Sequence, residues 1–387
     1  MNRIHLTVLW HMHQPQYRDP ETGCYVLPWT RLHATKDYWG MVKVLEEFPK
    51  FHATFNMVPS LCMQLEEYAS GNFKEPWFHL AFQSTDQLTK EGKAEILERA
   101  FQVNHERLMS RWPRFVELYE WSRVAGGAQA LVTFTPRDWR DLQVLSQLAW
   151  MDEEWFTKDA VTCRLANRGK DFTEKDKADL KAKQIELMGM VLPVCREAAG
   201  RGQIEISTTP FYHPILPLLC DSDIARVANS ATPLPRRAFR HPADAREQLR
   251  RAKEYHESIF GTKPVGLWPS EGSVSDQAMT IAAEEGFQWF GTDEGVLGRT
   301  LNVGFFRDSS GVPTNAERLY QPWRLQLPNT GITGLFRDHH LSDLVGFVYS
   351  RMDSNAAAAD LHGRLRHLGE SVKSGKPLTV CLFLDGE

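Results

Sequence analysis

The sequence lacks the features that identify membrane-spanning, secreted and nucleic-acid-binding proteins. No apolar run approaches the roughly 20 residues that cross a bilayer, and the apolar part of the opening MNRIHLT is too short for a signal peptide. No long basic run occurs, and 45 Lys and Arg residues stand against 49 Asp and Glu residues, so a basic face for phosphates is not expected. We therefore predict a cytoplasmic protein with no membrane and no nucleic-acid partner, whose oligomeric state is unknown from its sequence.

Cysteine is scarce and scattered. There is no Cys-x-x-Cys pair among the six cysteines, which are Cys24, Cys62, Cys163, Cys195, Cys220 and Cys381. This spacing is typical of reduced, buried side chains, and it indicates neither a disulfide framework nor a zinc cage.

Tryptophan, in contrast, is abundant, with 12 residues. Indole rings mainly fill cores, but their flat faces also stack against sugar rings. Core packing is the simpler interpretation for Trp289 and Trp323. Trp29 is retained as a candidate substrate contact although core packing is favoured there too, and for Trp268 the two interpretations are equally open.

Apolar runs that end in polar residues alternate with segments of helical period. The run Ile4–Trp10 ends at the polar cluster His11–Pro15, and six later runs have the same character: Lys50–Asn56, Ile204–Thr208, Gly266–Trp268, Trp289–Gly291, Gly334–Arg337 and Leu378–Leu384. Helical spacing occurs in His33–Phe48, Ala243–Phe260, Ser275–Glu285 and Leu361–Ser371. This alternation predicts an α/β fold with a parallel sheet that closes into a barrel.

The character of the chain changes between about residues 66 and 200. The stretches Lys90–Leu118 and Thr173–Ala199 are rich in Glu, Lys, Leu and Ala at helical period, with one short extended piece predicted at Ala130–Phe134. We predict a large helical insertion in a barrel that covers residues 1–387. Because the chain stops at the polar strand end Asp385-Gly386-Glu387, we also expect it to be truncated before a further segment.

Polar residues stand where the predicted strands end. In a parallel barrel all strand carboxyl ends face one mouth, so residues far apart in sequence converge there. Each residue alone is more typical of a solvated surface group, but their repeated position indicates one site. The set consists of His11, His13, Tyr212, His213, Glu271, Asp293, Glu294, Asp338 and Asp385.

The pair His11 and His13 allows two interpretations. Residues two apart on a strand share a face, so both imidazoles are able to reach one metal ion. No third ligand follows at a recognisable spacing, and we favour hydrogen bonds from these residues to substrate hydroxyls and to a catalytic carboxylate. No metal or other cofactor is predicted, and a metal-dependent barrel such as a polysaccharide deacetylase stays open as an alternative.

Five short motifs, in this order, resemble those of glycoside hydrolase family 57 and span nearly the whole chain. They are His11–Pro15, Gly202–Pro214, Gly266–Gly272, Phe336–Phe347 and Leu384–Glu387, the last of which is cut off where the family continues with Asn and an aromatic residue. The forms W-P-S-E-G and F-R-D-x-x-L-S-D are most similar to the amylopullulanase-like and α-amylase-like branch.

The resemblance implies an incomplete (β/α)7 barrel without a metal requirement that acts on an α-glucan or maltooligosaccharide. Its α-1,4 bonds are the expected target, with α-1,6 bonds as a second candidate. The resemblance assigns Glu271 as nucleophile and Asp338 as acid/base of a retaining mechanism, which needs two carboxyl groups about 5–5.5 Å apart. The expected substrate contacts are His11, His13, Gln14, Trp29, His213, Trp268, Asp293 and Asp385.

Two further alternatives remain at this stage. A 4-α-glucanotransferase or a glucan branching enzyme of the same family uses the same nucleophile and acid/base, so the motifs do not separate hydrolysis from transfer. A non-catalytic glucan-binding protein is disfavoured, because a degenerate binder has no need of both Glu271 and Asp338.

Overall fold

A computed structural model describes residues 2–328, 330–373 and 375–386 of the chain. Glu387, the last residue of the fifth motif, lies outside these ranges. Within them, one sheet contains eight strands: β1 (Ile4–Met12), β2 (Ala53–Met57), β3 (Ile204–Ser207), β4 (Gly266–Leu267), β5 (Trp289–Asp293), β6 (Trp323–Leu327), β7 (Thr330–Arg337) and β8 (Leu378–Asp385).

Seven of these strands form a parallel sheet in the order β3-β2-β1-β8-β7-β5-β4. The two outer strands approach each other through a single isolated parallel bridge between Thr208 and Leu267, so the sheet is nearly closed into a barrel. Strand β6 lies outside this path and pairs antiparallel with β7. The prediction of an incomplete seven-stranded α/β barrel is confirmed.

Alternate residues of each strand enter two different cores. Leu9, Cys381 and Phe383 form a cluster with Trp268, Trp289 and Leu335 inside the barrel. The neighbouring strand residues Val8, Leu382 and Phe336 belong to an outer cluster that includes helix residues such as Leu368. Because side chains alternate along a strand, a residue that stands two positions after an interior residue also faces inward. The interior cluster therefore identifies the inward-facing residues at the strand ends.

The chain divides by its contacts into two compact units. The first comprises Met1–Pro15, Phe48–Cys62 and Cys195–Gly386 and contains the barrel strands. Its helices after β3 are Leu216–Cys220, Ala225–Ala228, Pro242–Phe260, Asp276–Glu284, Glu294–Leu301, Ala316–Leu319, His339–Asp343 and Ser354–Ser371. The longest begins at Pro242, where a missing N–H costs no helical hydrogen bond, and ends at Gly261 in the left-handed conformation (φ 75°).

The second unit comprises Gln16–Glu47 and Met63–Val194. Its core holds a fully buried ion pair between Arg31 and Glu75, which is completed by the amide oxygens of Gln147 and Gln184. The helices from the start of this unit up to β3 are Trp29–Lys36, Tyr38–Lys43, Pro59–Ala69, Pro76–Phe82, Lys90–Arg99, Pro113–Ala125, Gly127–Thr133, Pro136–Leu148, Trp155–Lys158, Ala160–Arg168 and Glu174–Gly200. The insertion boundaries at about residues 66 and 200 stay a prediction.

The secondary structure corrects one expectation. The segment Ala130–Phe134, predicted as extended, lies mostly in the helix Gly127–Thr133. Its buried residues Ala130 and Phe134 are four apart, as on one helix face, whereas Val132 is exposed, so a short apolar run was misleading here. Strand β6 was not predicted. In the described ranges, no helix is long and apolar enough to cross a membrane.

Candidate active site

Strand alternation turns four polar residues toward the barrel interior at the rim. His11 and Asp385 each lie two residues beyond an interior residue, Leu9 and Phe383, and they are partners in the register of β1 and β8. Arg337 lies two residues beyond the interior Leu335 in the same way. The fourth is Asp293, at the end of β5. It follows Gly291 by two residues, and a Cβ at Gly291 would meet the interior rings of Phe383 and Trp268.

Three imidazole rings stack at one side of this rim. The ring centroids of His13 and His213 are 4.1 Å apart, and those of His11 lie 5.2 Å from His13 and 5.1 Å from His213. Burial lowers the pKa of His11 to about 3 and that of His213 to about 2, and it lowers the pKa of His13 as well. The stack is therefore neutral at physiological pH, and it brings together three residues that the sequence predicted as substrate contacts.

The orientation of His11 is fixed by Asn56, a residue that the sequence reasoning did not place in the site. His11 Nδ1 lies 2.7 Å from Asn56 Oδ1, and the Asn56 amide nitrogen donates to Ser207 Oγ at 3.0 Å. With Nδ1 donating to Asn56, the neutral ring has Nε2 as an acceptor, where the sequence led us to expect a donor. The signal for Asn56 was present, since it stands near the end of a predicted strand.

Glu271 occupies a tight turn, Ser270–Gly272, directly after β4. Its backbone lies in the left-handed region (φ 56°, ψ 23°), which is uncommon for residues other than glycine and concentrates at functional sites. The side chain is 72% exposed, and its Oε1 lies 3.9 Å from Nδ1 of His213, itself at φ 57°. Glu271 therefore projects from the rim beside the histidine stack.

The ring of Trp268 packs against this turn more than it offers an open face on which a sugar ring can stack. A Cβ at Gly272 or at Gly291 would contact its ring at 3.3 Å and 2.9 Å respectively, and the ring meets Phe383 edge-on with centroids 5.4 Å apart. Its centroid is 6.1 Å from that of His11, so one side of the ring still adjoins the stack.

Two further predicted substrate contacts lie in other surroundings. Gln14 is buried, and its backbone carbonyl accepts a hydrogen bond from Ser60 Oγ at 3.0 Å. Trp29 belongs to the second unit, where its ring lies 5.9 Å from that of Trp150.

Asp338, the predicted acid/base, directly follows β7. It stands two residues after Phe336, which faces outward, and so it lies on the outer side of the strand. It is completely buried, and its carboxylate accepts hydrogen bonds from Tyr320 Oη at 2.7 Å, Arg307 Nη2 at 3.0 Å and the backbone nitrogen of Leu341 at 2.8 Å. The last bond caps the helix His339–Asp343. Arg307 also pairs with Glu294 at 2.6 Å, so Asp338 is part of a buried network.

Arg337, the neighbour of Asp338, points inward and joins a ring of paired side chains. Its Nη2 lies 2.7 Å from Asp343 Oδ1 and its Nη1 3.6 Å from Asp293 Oδ2. His339 closes the ring, with Nδ1 3.1 Å from Asp293 and Nε2 2.9 Å from Asp343. Arg337 is also the charged neighbour of Asp385: burial raises the pKa of the Asp385 carboxyl, and the positive charge of Arg337 partly opposes this rise.

Glu205 lies in the second of the five motifs, where structural ion pairing is the simpler expectation for its carboxylate. Its carboxylate instead accepts a hydrogen bond from Trp289 Nε1 at 2.8 Å, and burial raises its pKa. Among the residues that the structure describes, no group of three or more His, Cys, Asp or Glu side chains is arranged to hold a metal ion.

A model of glycosyl hydrolase family 57 matches residues 7–387, nearly the whole chain. The chain belongs to glycosyl hydrolase family 57. This match confirms the family that the five motifs predicted. It also confirms the prediction that the chain is a glycoside hydrolase. The branch within family 57 stays a prediction. A search of curated protein sequences finds no match.

Solved structures with a similar fold include three enzymes of low sequence identity. The α-amylase AmyC from Thermotoga maritima is 13% identical over 100% of this chain, with a TM-score of 0.49. The 4-α-glucanotransferase from Thermococcus litoralis is 15% identical over 100% (TM-score 0.46), and a family 57 branching enzyme from Thermococcus kodakaraensis is 15% identical over 99% (TM-score 0.49). The present chain spans 68%, 34% and 64% of these longer chains, respectively.

Proposed function

We propose that this chain carries the catalytic centre of a retaining enzyme of family 57 that acts on α-glucosidic bonds, with Glu271 as nucleophile. The observation that carries the proposal is the setting of Glu271. Its carboxylate is exposed beside a neutral imidazole stack, and no Lys or Arg of the described residues pairs with it. A carboxylate attacks a sugar carbon in its charged form, and the absence of a paired cation leaves its oxygen lone pairs free for the attack.

The choice of acid/base is a separate question. A general acid must come within hydrogen-bond reach of the leaving oxygen, about 2.6–3.2 Å. Asp338 meets this condition only if its three hydrogen bonds open, since its carboxylate is fully buried. Asp385 projects into the barrel mouth beside His11, and its raised pKa favours the protonated form that an acid needs. The geometry thus supports Asp385 over the predicted Asp338.

In this mechanism, Glu271 attacks C1 of the sugar while the acid transfers its proton to the departing glycosidic oxygen. Water or a sugar hydroxyl then attacks C1 of the resulting glycosyl-enzyme ester. The attacking group gives its proton to the carboxylate that acted as the acid in the first step, and the ester bond to Glu271 breaks. Two inversions at C1 restore the α configuration. The neutral stack of His11, His13 and His213 is placed to exchange hydrogen bonds with sugar hydroxyls without pairing with the nucleophile.

The substrate class and the acceptor follow from the family and are parts of the proposal. We propose an α-glucan or maltooligosaccharide as substrate, cleaved at α-1,4 bonds with α-1,6 bonds as the second candidate, as in the α-amylase-like and amylopullulanase-like branch. Transfer to a second sugar, as in a 4-α-glucanotransferase or a branching enzyme, uses the same residues and differs only in the acceptor.

The test combines two assays. Incubation with amylose, maltoheptaose and pullulan, followed by analysis of product length and reducing ends, separates hydrolysis from chain redistribution. Hydrolysis of α-glucosyl fluoride, followed by NMR, gives the first-formed anomer, which must be α for a retaining enzyme.

The fluoride also separates the two carboxyl candidates, because its departure needs little acid assistance. We expect Asp385→Asn to lose activity on maltoheptaose but to retain the first step on the fluoride, with azide restoring turnover as α-glucosyl azide. If Asp338→Asn shows this pattern while Asp385→Asn remains active on maltoheptaose, Asp338 is the acid/base after all. A β-configured first product would reject the retaining mechanism altogether.

A further inference from the structure

Among the described residues, no hydrogen bond or close ion pair of its own carboxylate holds the side chain of Glu271 in place. Its contact with His213, at 3.9 Å, is longer than a hydrogen bond, and most of its surface is exposed. The direction in which this carboxylate points therefore depends on the backbone turn that carries it. That backbone is left-handed at Glu271 (φ 56°), where a residue other than glycine is held only if the surroundings enforce it, and at Gly272 (φ 65°), where glycine adopts this conformation without strain.

The strand before the turn supplies little of this enforcement. Strand β4 contains only Gly266 and Leu267, and the turn begins three residues later. Two hydrogen bonds lie within the turn, from the nitrogens of Gly272 and Ser273 to the carbonyls of Pro269 and Ser270 at 2.8 Å and 3.0 Å. The buried hydroxyl of Ser270 has no hydrogen-bond partner among the described residues, so it does not anchor the turn.

One side-chain hydrogen bond connects the turn to the neighbouring strand. Thr292 Oγ1, on β5, donates to the carbonyl oxygen of Gly272 at 2.6 Å. Thr292 is fully buried, and strand alternation turns it away from the barrel interior that Asp293 faces. A Cβ at Gly272 would lie 3.7 Å from the Thr292 Cα and 3.3 Å from the Trp268 ring, so the turn is packed directly against both residues.

We propose that Thr292 is a positioning residue for the nucleophile: its hydroxyl fixes the carbonyl of Gly272 and thereby the direction of the Glu271 carboxylate. The inference rests on the proposed role of Glu271. Because Thr292 is fully buried and faces away from the barrel interior, we expect its effect in the rate of the chemical step and not in substrate binding. Loss of the hydroxyl frees the turn to relax from its left-handed conformation, and a displacement of about 1 Å at a reacting atom costs about 100-fold in rate.

The experiment compares Thr292→Val, which removes the hydroxyl at equal size, with Thr292→Ser, which keeps it. The control is Thr162→Val in the second unit, where a fully buried Thr hydroxyl likewise donates to a backbone carbonyl, that of Trp155. Each variant is assayed on α-glucosyl fluoride, where the acid contributes little. Formation of the glycosyl-enzyme is also timed with 5-fluoro-α-glucosyl fluoride by mass spectrometry of the Glu271 peptide.

We expect Thr292→Val to lower kcat and the trapping rate by about 10- to 100-fold with KM changed less than about twofold. Thr292→Ser should stay within about threefold of wild type, and Thr162→Val should match wild type. If Thr292→Val does not fold, Thr292→Cys, a poor hydrogen-bond donor of similar size to Ser, takes its place in the comparison.

The outcomes that overturn the proposal are distinct from failure of the proposed function. Equal trapping rates in wild type and Thr292→Val would show that the hydroxyl has no positioning role. An equal loss of kcat in Thr292→Val and Thr292→Ser would show the same. So would equal kcat values in Thr292→Cys and Thr292→Ser. Trapping of a residue other than Glu271 in the wild type would reject the nucleophile assignment and this inference together.

Discussion

His213 and Glu271 face each other from two left-handed backbone positions, with 3.9 Å between Nδ1 and Oε1. The imidazole is neutral, because burial lowers its pKa to about 2. A protonated histidine at this distance would form an ion pair with Glu271 and reduce the nucleophilicity of its carboxylate. The neutral histidine stack thus gives the Glu271 carboxylate no cationic partner while providing polar groups beside it.

The first prediction concerns this carboxylate. We expect Glu271→Gln to abolish turnover of both maltoheptaose and α-glucosyl fluoride with an unchanged melting temperature, since an amide is not a nucleophile and the exposed side chain contributes little to stability. The matched control is Glu257→Gln, another exposed glutamate, which should leave activity unchanged. More than a few per cent residual activity in Glu271→Gln would contradict the assignment.

The second prediction concerns stability in acid. The folded-state pKa values of His11 and His213 lie well below the unfolded value near 6.5, so the unfolded state binds more protons as the pH falls below 6.5. Each such histidine should lower the free energy of unfolding by about 1.4 kcal/mol per pH unit in this range.

Replacement of one histidine tests the size of this effect. His213→Asn, which tolerates the left-handed backbone, should reduce the dependence of unfolding free energy on pH between 6 and 4.5 by about 1 kcal/mol per pH unit in urea titrations. The exposed His362→Gln should leave the slope unchanged. A slope in His213→Asn equal to that of wild type would show that the stack does not control acid stability.

The third prediction treats Asp338 as a structural residue. Asp338→Asn removes a fully buried charge that accepts from Tyr320 and Arg307, and we expect it to lower the free energy of unfolding by about 2–4 kcal/mol. Asp360 provides a matched control, because it also accepts from a tyrosine (Tyr349) and an arginine (Arg364) but at the surface. Asp360→Asn should cost less than about 1 kcal/mol. Equal costs would remove the argument from burial.

The fourth prediction concerns the alkaline limb of the pH profile of kcat/KM, which follows the pKa of the acid in the free enzyme. If Asp385 is that acid, Arg337→Gln removes the positive charge that lowers its pKa, and the limb should move up by about one pH unit or less. Asp343→Asn removes a negative partner of Arg337 and should move the limb down. Shifts of both variants in the same direction would be incompatible with this electrostatic coupling.

Strand positions were predictable because apolar runs that end in polar residues mark parallel strands, and seven of the eight strands overlap the predicted runs. Strand β6 was missed because it alternates half-buried residues with exposed Arg324 and Gln326, so it has no apolar run, and in the described part of the chain it pairs with β7 alone. The face that each residue occupies was harder to predict. Both faces of a buried parallel strand are apolar, so Leu335 and Phe336 look alike in sequence although one points inward and the other outward.

This ambiguity explains the placement of Asp338. A shift of one residue in alternation exchanges the inner and outer faces, and the sequence therefore did not distinguish Arg337 from Asp338 as the rim residue of β7. The role of Thr292 was also beyond sequence reasoning. Its hydrogen bond to Gly272 joins strand β5 to the turn after β4 through a buried threonine, and threonines in strands are common for reasons of local conformation alone.

The pairing of β1 with β8 joins the two most distant parts of the described chain. Ile4 lies opposite Leu378, and the ladder continues for eight residue pairs to His11 and Asp385. During synthesis, the edge of β1 that pairs with β8 therefore stays open until β8 has left the ribosome, while the helices of the second unit have already been synthesised. Such non-local pairing slows folding and leaves an unpaired edge exposed to other chains. We expect refolding from urea to be slow and prone to aggregation, with the helical unit gaining structure first.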